Sequence, residues 1–519
     1  MRSFIWQINY LWRGSEEMKN ILELLEASSK KHPDKVFLQD SDTQITYHDF
    51  ICKAKSVASA LSELGTECLP VAVYMNKSPD NAVGFFGSVY AGKFYTVIDP
   101  EMPKDRMMSI LNTLKPCAII CDRAHKDNLD SIDTGIKYFV YEDIVNTGID
   151  NSFINSIREK SIDTDPLYVL FTSGSTGVPK GTVVNHKSVM AYSEWVCETF
   201  DINEDTVFGN QTPFYFSMSV LDLFSTLRAG ATLDIIPKVY FTFPIKLAEY
   251  LNSRKINTIY WVPSALCVVA NLKLLDYVKL EHLKKILFAG EVMPTKQLNY
   301  WIAHMEDRYF ANLYGPTEVT DICTYYEVDR KFADDESLPI GKHCNNCGVF
   351  LLKEDNTEAK NGEVGELCVR GSFLASGYYN NPDKTNEVFV QNPLNTHYPE
   401  LVYKTGDLVR MNERGEYIYV GRKDFQIKHM GYRIELGEIE TAVSAVEKLN
   451  SCVCVFDAPA DKIVLIYEGR VSENDILESI KDKLPQYMYP DVYVKVKSMP
   501  HNANGKIDRA WLQNNYKTL

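Results

Sequence analysis

Short apolar segments of strand length alternate with segments of helical length over most of the chain. Leu69–Tyr74, Phe94–Ile98 and Pro116–Cys121 are mainly apolar, and helix-like stretches at Pro79–Gly92 and Lys104–Leu114 separate them. The same alternation recurs farther along, at Leu167–Phe171, Thr232–Ile236, Thr258–Val262 and Lys285–Phe288. Strands and helices that alternate at this length build sheets covered by helices on both faces. The pattern therefore predicts doubly wound α/β layers.

The pattern changes after about residue 340. Short strands and turns dominate at Gly362–Gly371, Leu401–Leu408 and Glu416–Gly421, as expected of a small β-barrel. From Asp424 onward a helix over Glu435–Lys448, two strands and another helix over Glu473–Leu484 predict a small α+β unit. We therefore predict an N-terminal domain over 18–423, with the barrel at about 340–423, and a C-terminal domain over 424–519.

The first seventeen residues are predicted to be an extension. Ser15-Glu16-Glu17 precede Met18, and purine-rich glutamate codons resemble a ribosome-binding site, which makes Met18 a candidate start. Mass spectrometry of the native protein tests this, because detection of residues 1–17 would contradict it.

Composition excludes several classes of protein. Hydrophobic residues make up 45% and charged residues 24% of the 519 residues, which is ordinary for a globular protein. Subtracting 69 acidic from 55 basic residues gives a net charge of −14, which argues against nucleic-acid binding. No apolar run approaches the ~18 residues of a membrane helix, so no membrane insertion is expected. The 12 scattered cysteines indicate reduced thiols and a cytoplasmic protein.

The most distinctive local feature is a loop rich in glycine and hydroxyl residues, which runs from Leu170 to Gly181 as LFTSGSTGVPKG. Glycines let backbone N–H groups converge on an anion, and hydroxyl groups add donors for phosphate oxygens. The loop is not a Walker A motif, because Lys180 precedes Gly181 and a β-like segment follows instead of a helix. It favours a phosphate site over a flexible surface loop.

Together with further motifs, this loop resembles the adenylate-forming (ANL) superfamily of acyl-CoA synthetases, peptide-synthetase adenylation domains and luciferases. The other motifs follow in the family's order at Ala91–Tyr95, Asn312–Glu318, Tyr403–Leu408, Gly421–Asp424, Gly431–Glu435 and Asn504–Arg509. The resemblance covers about residues 20 to 515. Within the family, the chain is most similar to D-alanine–carrier-protein ligases and stand-alone adenylation domains of nonribosomal peptide synthesis. It implies two doubly wound α/β subdomains plus a small β-barrel, followed by a small mobile α+β domain.

The resemblance also implies which residues bind ATP. Tyr314 would stack on adenine, Asn312 would bond its amine, and Asp407 with Arg422 would bind the ribose hydroxyls. The full implied nucleotide set is Thr172, Ser173, Gly174, Ser175, Thr176, Gly177, Lys180, Gly290, Glu291, Asn312, Leu313, Tyr314, Gly315, Asp407, Tyr419 and Arg422.

Three residues would carry the chemistry. Lys506 would offset the negative charge that builds up when a carboxylate attacks the α-phosphorus. Thr317 would contact the α-phosphate, and Glu318 would hold Mg²⁺ through a hard oxygen ligand. Asp424 matches the family hinge, about which the C-terminal domain would rotate so that Lys506 leaves and a thiol channel lined by Gly431 forms.

One departure from the family lies in the segment Phe214–Asp222, which matches the acyl pocket. Members that activate amino acids carry there an aspartate that pairs with the substrate α-ammonium, whereas this chain has Ser217. The substrate then either lacks an α-amine or carries an amine farther out that pairs with Asp321, unless Asp321 is solvated outside the pocket. The full implied lining is Phe216, Ser217, Met218, Leu221, Trp261, Leu287, Ala289, Leu313, Asp321 and Ile322.

The implied function is ATP- and Mg²⁺-dependent activation of a small carboxylic acid. Since no carrier domain with an attachment serine follows Lys506 before Leu519, we expect a phosphopantetheinylated carrier protein acting in trans. An acyl- or aryl-CoA ligase is the alternative, and it differs only in the acceptor. A non-catalytic ATP-binding module is the alternative from another class, although Lys506, Glu318 and Asp407 are all retained.

Overall fold

Buried apolar strands form the centre of the molecule, as the alternating pattern predicts. A computed structural model describes residues 18–132, 134–174, 178–334, 336–424, 426–444, 446–500 and 507–519. The five residues of Pro70–Tyr74 are all buried, and so are those of Phe94–Ile98. Strands buried on both faces are typical of parallel sheets covered by helices.

The strands, β1 to β26 in chain order, are Val36–Gln39, Gln44–Thr46, Pro70–Tyr74, Phe94–Ile98, Ala118–Cys121, Tyr138–Val140, Pro166–Thr172, Lys180–Asn185, Val207–Asn210, Thr232–Ile235, Thr258–Trp261, Lys285–Ala289, Tyr309–Tyr314, Thr324–Glu327, Lys342–His343, Cys347–Leu352, Val364–Gly371, Gly377–Tyr378, Phe389–Gln391, Leu401–Met411, Tyr417–Arg422, Gln426–His429, Tyr432–Glu435, Leu449–Asp457, Lys462–Gly469 and Val492–Val496.

The α-helices, α1 to α16, are Ile21–Lys31, Tyr47–Ala60, Pro79–Tyr90, Lys104–Leu114, Lys126–Ile132, Tyr141–Ile144, Asn151–Lys160, His186–Thr199, Ser219–Ala229, Pro244–Ser253, Pro263–Asn271, Thr295–His304, Pro382–Val388, Leu436–Ser444, Glu473–Ile480 and Arg509–Asn515. Their starts follow familiar capping chemistry. The Ser78 side chain accepts from the Asn81 N–H before α3, and Pro79 occupies the first turn.

Two large mixed sheets carry most of the described strands. The seven-stranded sheet has the order β18-β8-β7-β4-β3-β5-β6, and the nine-stranded sheet has the order β15-β14-β13-β12-β11-β9-β10-β1-β2. The strands from β9 to β13 in the second sheet pair in parallel, and antiparallel strands complete its edges. One continuous core joins both sheets and includes the fully buried Trp195, Trp261 and Trp301. The predicted α/β fold class is confirmed.

The later part of the chain forms smaller sheets. Strands β16, β17, β20, β19 and β21 make an open antiparallel half-barrel, where the sequence predicts a small barrel. After it come the hairpin of β22 and β23 and the three-stranded sheet of β24 to β26. Their buried residues, such as Ile439 and Ile476, form clusters separate from the large core. The predicted boundary at residue 424 falls between β21 and this hairpin. Among the described residues, no helix has the length and apolar character needed to cross a bilayer.

Candidate active site

A cleft open to solvent lies where strands of the two large sheets end. It is lined by Thr172 at the end of β7, Gln211 after β9, Ala289 at the end of β12 and Gly315 after β13. The carboxyl ends of parallel strands are the usual ligand-binding edge of α/β sheets. The hairpin of β22 and β23 closes the other side of the cleft.

The glycine- and hydroxyl-rich loop begins at this edge. Thr172 and Ser173 line the cleft, and the Ser173 hydroxyl donates to the Arg433 carbonyl oxygen at 2.6 Å. A Cβ on Gly174 would lie 1.9 Å from the Val178 carbonyl oxygen, so the backbone admits only glycine there. Ser175, Thr176 and Gly177 lie outside the described residues.

Lys180 places its ammonium beneath the loop. Its Nζ lies 3.6 Å from the Glu435 carboxylate, and both side chains are largely buried. Burial, together with the nearby Arg433 guanidinium, lowers the pKa of Lys180 to about 8. A phosphate group beside this lysine would favour its charged form.

Asp407 on β20 has the position and partners expected of a ribose-binding carboxylate. It lines the cleft with Arg422, whose Nη1 lies 3.0 Å from its Oδ1, and the Tyr314 hydroxyl donates to its Oδ2. The Tyr419 ring lies 6.4 Å from the Tyr314 ring. Asn312 donates its side-chain amide to the Pro339 carbonyl oxygen at 2.8 Å. Asp407 and Arg422 thus line the cleft, whereas Asn312, Tyr314 and Tyr419 are not among the lining residues, and Lys428 Nζ lies 5.0 Å from the centroid of the Tyr314 ring.

The two residues after β12 differ in their surroundings. Gly290 lines the cleft with φ +93°, and a Cβ there would lie 3.1 Å from Met218 Sδ. The next residue, Glu291, accepts the backbone N–H of Ser264 at 2.7 Å and so caps the start of α11. Glu291 is not among the residues that line the cleft.

Glu318 is completely buried and remains ionised. Arg433 Nη1 lies 2.9 Å and 2.7 Å from its two carboxylate oxygens, and the Tyr378 hydroxyl donates to Oε1 at 2.6 Å. Burial opposes ionisation, but Arg433 and Lys180 outweigh it and lower the pKa of Glu318 to about 2. An ionised carboxylate is the ligand type that Mg²⁺ prefers, and a metal here would have to replace the Arg433 guanidinium as the cation that keeps this buried carboxylate ionised.

The hairpin of β22 and β23 places several side chains in the cleft. Lys428, Met430, Gly431 and Tyr432 all line it. Gly431 has φ +82°, and a Cβ there would lie 2.6 Å from Val262 Cγ1, so only glycine allows this close approach.

Two further contacts hold this arrangement. The Tyr432 ring stacks on Tyr487 with centroids 3.6 Å apart and meets the edge of Phe216 at 4.9 Å. Arg106 on α4 forms an ion pair with Glu438 on α14, and both side chains are nearly inaccessible to solvent. Removing one partner of such a buried pair typically costs about 3–5 kcal/mol, because it leaves the other charge buried without compensation.

The candidate acyl pocket occupies the inner end of the cleft. Phe216, Ser217, Met218, Ala289 and Ile322 line it. The Thr317 hydroxyl lies 3.1 Å from the Ser217 hydroxyl, which links the pocket to the candidate phosphate-contact residue.

The other predicted pocket residues are buried around the cleft. Leu221, Leu287 and Leu313 are in the core but are not among the lining residues. Trp261 pairs in register with Phe288, whereas Tyr260 pairs with Leu287, so Trp261 lies on the sheet face opposite Leu287. Its indole N–H donates to the Gly209 carbonyl oxygen at 2.8 Å. Tyr260, which the sequence analysis did not single out, has the orientation expected of Trp261.

Asp321 lines the cleft and is held by two tyrosines. Its Oδ2 accepts from the Tyr192 hydroxyl at 2.8 Å and the Tyr260 hydroxyl at 3.1 Å. The preceding Thr320 has φ 72° and ψ −58°, and the Asp321 N–H bonds to the Val319 carbonyl oxygen at 2.9 Å. This is a strained γ-turn, and such backbone costs about 1–3 kcal/mol and clusters at functional sites.

Lys506 and the rest of 501–506 lie outside the described residues.

The site brings together candidate residues from the two large sheets, the half-barrel and the hairpin. Arg433, Glu438 and Tyr378 were not proposed as site residues, although Arg433 lies within the quoted motif Gly431–Glu435. A buried carboxylate such as Glu318 requires a cationic partner, but the sequence does not reveal a partner 115 residues away.

Comparisons with known proteins identify the family. The family model described as AMP-binding enzyme matches residues 25–379. Zwittermicin A synthase ZmaJ of Bacillus cereus is 31% identical over 94% of this chain and 94% of its own length. The L-proline--[L-prolyl-carrier protein] ligase of Pseudomonas fluorescens is 30% identical, over 95% of this chain and 98% of its own. The chain spans only 44% of Tyrocidine synthase 1 of Brevibacillus parabrevis, at 30% identity.

Solved structures share the fold. The Vibrio cholerae adenylation domain AlmE, in complex with glycyl-adenosine-5'-phosphate, has a TM-score of 0.83 at 22% identity and covers 98% of this chain and 99% of its own. Holo-PA1221, a protein containing adenylation and PCP domains, has a TM-score of 0.82 at 21% identity, with 95% and 84% covered. The chain therefore belongs to the AMP-binding enzyme family, the adenylate-forming superfamily that its motifs resemble, and is an adenylate-forming ligase.

Proposed function

We propose that the protein activates a small carboxylic acid with ATP and then transfers the acyl group to the phosphopantetheine thiol of a separate carrier protein. One observation carries the proposal. The phosphate loop at Ser173, the ribose carboxylate Asp407 and the acyl-pocket residue Ser217 all line one cleft, with the ionised Glu318 buried beside it. These are the parts that bring an acid to the α-phosphate of a nucleotide.

Nucleotide binding uses donors and acceptors at opposite ends of the cleft. Asp407 accepts the ribose hydroxyls while Arg422 holds its other oxygen. The Ser173 hydroxyl and the ammonium of Lys180 face the phosphates once Arg433 and Glu435 withdraw from them. Loops built from hydroxyls and convergent N–H groups bind phosphate in this way.

Glu318 would hold Mg²⁺ in the first step. When bound, the ion neutralises phosphate charge and draws electrons from the phosphorus that is attacked. Glu318 supplies an anionic oxygen, and Tyr378 orients that carboxylate through a hydrogen bond of 2.6 Å.

The acid would lie with its carboxylate beside Thr317. A carboxylate oxygen forms a bond to the α-phosphorus while the bond to the pyrophosphate oxygen breaks, and pyrophosphate leaves with the electron pair. Lys506 would stabilise the charge that builds up during this transfer. The wall made by Phe216, Met218, Ala289 and Ile322 suits a small acyl group.

In the second step the thiol would reach the acyl-adenylate past the hairpin of β22 and β23. Gly431 supports this role, because its missing side chain lets the hairpin approach Val262 closely at the cleft. The thiol sulfur, having lost its proton, forms a bond to the acyl carbon, and AMP leaves with the electron pair of the mixed anhydride. The observed contacts of Arg433 and Glu438 would belong to this second arrangement, with Asp424 as the hinge.

The relatives support a carrier as the acceptor. The prolyl ligase is named for a carrier protein, and PA1221 combines adenylation and PCP domains. Both relationships favour a phosphopantetheine thiol over free coenzyme A.

The test incubates the enzyme with ATP, Mg²⁺ and candidate acids, and detects acyl-adenylate by quenching and mass spectrometry. Holo carrier proteins and coenzyme A are then offered separately, and the acylated thiol is weighed by intact mass. We expect an acyl-adenylate, followed by a mass increase on a holo carrier.

The matched control is the same carrier without its phosphopantetheine arm, which should gain no mass. Preferential acylation of coenzyme A would contradict the carrier proposal. Absence of any acyl-adenylate across the acid panel would contradict the proposed function as a whole.

A further inference from the structure

Asp321 indicates which acid the cleft accepts. We propose that the substrate carries a primary amino group separated from its carboxylate by at least two carbons, and that Asp321 binds this ammonium. The inference rests on the proposed function, because it specifies the acid that the adenylating cleft selects.

The carboxylate of Asp321 is anchored through only one oxygen. Both tyrosine hydroxyls donate to Oδ2, and among the described residues Oδ1 has no hydrogen-bond donor. Tyr192 and Tyr260 are fully buried, so they fix the carboxyl group from the side of the core. Since Asp321 lines the cleft, Oδ1 is the oxygen that can accept a donor from a bound molecule.

The charges around the cleft leave Asp321 without a counter-ion. Arg422 pairs with Asp407, and Arg433 pairs with Glu318. No Lys, Arg or His in the described part of the chain forms an ion pair with Asp321, although the buried Lys428 contributes a favourable charge from the hairpin. A substrate ammonium at Oδ1 would give the Asp321 carboxylate the direct ionic partner that it lacks among the described residues.

Ser217 disfavours an amine on the carbon next to the carboxylate. Its hydroxyl already accepts from Thr317 and brings no negative charge. An α-ammonium placed there would be buried without compensation, which is strongly unfavourable. An ammonium farther from the carboxylate reaches the fixed carboxyl group of Asp321 instead.

Binding of an ammonium would change the protonation of Asp321. Burial raises the pKa of Asp321 to about 8, so the empty cleft holds a largely neutral carboxyl group at pH 7. The groups facing it are Tyr168, Tyr192, Asp222, Tyr260, Cys344 and Lys428. An ammonium at Oδ1 favours the carboxylate, and the proton passes to solvent as the substrate binds.

The first experiment measures acid-dependent ATP–pyrophosphate exchange with matched acids. The pairs are β-alanine with propionate and γ-aminobutyrate with butyrate, and α-alanine tests the position of the amine. We expect kcat/KM for at least one amino acid of the pairs to exceed that of its partner about 100-fold, with α-alanine poor. Equal activity of the pairs, or preference for α-alanine, overturns the inference and leaves the proposed function standing. Exchange with no acid at all would contradict the proposed function instead.

Variants separate charge recognition from folding. Asp321→Asn keeps the shape of the side chain and an acceptor for the tyrosines. It should lower kcat/KM for the preferred amino acid about 100-fold. It should lower kcat/KM for the amine-free partner less than about 3-fold. Asp234→Asn is the matched control, because Asp234 is also buried and also accepts from a tyrosine, Tyr250, but lies outside the cleft. It should leave the ratio between the two acids unchanged. Equal losses for both acids in Asp321→Asn would overturn the inference.

Calorimetry gives a readout that does not depend on turnover. Binding of the preferred amino acid at pH 7, in buffers of different ionisation enthalpy, should release a substantial fraction of one proton in the wild type. The release should be absent in Asp321→Asn. Proton release that persists in the variant would overturn the assignment to Asp321.

Discussion

At the scale of single residues, some buried carboxylates in the cleft are paired with a cation, and others are bonded only to neutral groups in the described part of the chain. Asp407 is held by Arg422 and Tyr314, whereas among the described residues Asp321 is held only by neutral tyrosine hydroxyls. The first environment keeps a carboxylate ready for a ribose, and the second raises the cost of charge until a partner arrives.

Replacement of Asp407 by asparagine should weaken nucleotide binding selectively. An amide offers one neutral acceptor oxygen where the carboxylate offers two charged ones, so the bonds to the ribose hydroxyls weaken, while Arg422 keeps Asp424 as a charged partner. We expect KM for ATP to rise about 10- to 100-fold, measured by pyrophosphate exchange at saturating acid. Asp329→Asn, at an exposed position that accepts from Tyr326, is the control. An unchanged KM for ATP in a folded Asp407→Asn enzyme would contradict the ribose assignment.

Asp321 should also make the stability of the enzyme depend on pH. Burial raises its pKa to about 8 in the folded chain, whereas an unfolded aspartate ionises at about 4. Between these values the folded state binds more protons, so this group lowers the free energy of unfolding as pH rises.

Asp321→Asn removes that contribution. Its free energy of unfolding relative to wild type should therefore increase between pH 5 and pH 8, by up to about 4 kcal/mol. Urea unfolding of both proteins at the two pH values measures the difference. The same difference at pH 5 and pH 8 would show that Asp321 is already ionised in the empty cleft.

The roles of residues in the quoted motifs could be predicted from the sequence more readily than the sheet face to which the side chain of a strand residue points. Trp261 matched a pocket position, but a shift of one residue along a strand reverses the face, and Tyr260 takes the inward orientation. The pairing of Glu318 with Arg433 joins two distant segments and depends on how the hairpin docks, which no local pattern encodes.

At the scale of elements, the hairpin of β22 and β23 occupies space that the proposed first step requires. Arg433 covers Glu318, its carbonyl takes the Ser173 donor, and Glu435 pairs with Lys180. The Arg433 guanidinium thus occupies the position proposed for the metal. The Glu435 carboxylate occupies the position proposed for a phosphate. The hairpin and magnesium pyrophosphate should therefore exclude each other.

Arg433→Met tests this exclusion. Loss of the guanidinium should lower thiol acylation from supplied acyl-adenylate about 10-fold or more, because the observed arrangement loses a buried ion pair. Pyrophosphate exchange should fall less than about 3-fold, and Mn²⁺ binding measured by electron paramagnetic resonance should strengthen. Arg433→Lys, which keeps the charge but not the two-oxygen contact, should lie between. Weaker Mn²⁺ binding in Arg433→Met would contradict the competition.

Element boundaries followed sequence signals closely where caps were present. The predicted helix Pro79–Gly92 is Pro79–Tyr90, with Ser78 as its N-cap. The predicted helix Glu473–Leu484 ends earlier, at Ile480, and the following residues form a turn before Pro485. Proline restricts the residue before it, but the sequence does not say how many residues the turn takes.

At the scale of the whole molecule, the large sheets and the residues after Asp424 have separate hydrophobic cores. This separation fits a reaction in which adenylation and thiol acylation take place in turn in one cleft. The large sheets share one core, and the residues after the hinge candidate Asp424 have their own. Contacts between them include ion pairs and hydrogen bonds, such as Arg106 with Glu438 and Ser173 with Arg433, and the aromatic contact of Tyr432 with Phe216. Such an interface allows rotation without unfolding either part.

Lys506→Ala tests the rotation. The variant should lose adenylation by about 100-fold or more, because a charge that stabilises the transition state is gone. It should retain acylation of the thiol from supplied acyl-adenylate, since the second arrangement does not use that lysine. Both rates are measured on the same preparation, and equal losses would contradict the rotation.

The central claim is that this cleft joins a carboxylic acid to the α-phosphate of ATP. Acid-dependent incorporation of labelled pyrophosphate into ATP, across α-amino, β-amino, hydroxy, keto and aryl acids, tests it most directly. We predict exchange that requires both Mg²⁺ and the acid, with a small amino acid bearing a distant amine as the best substrate. Exchange with none of these acids, from a folded enzyme that binds ATP, would contradict the account.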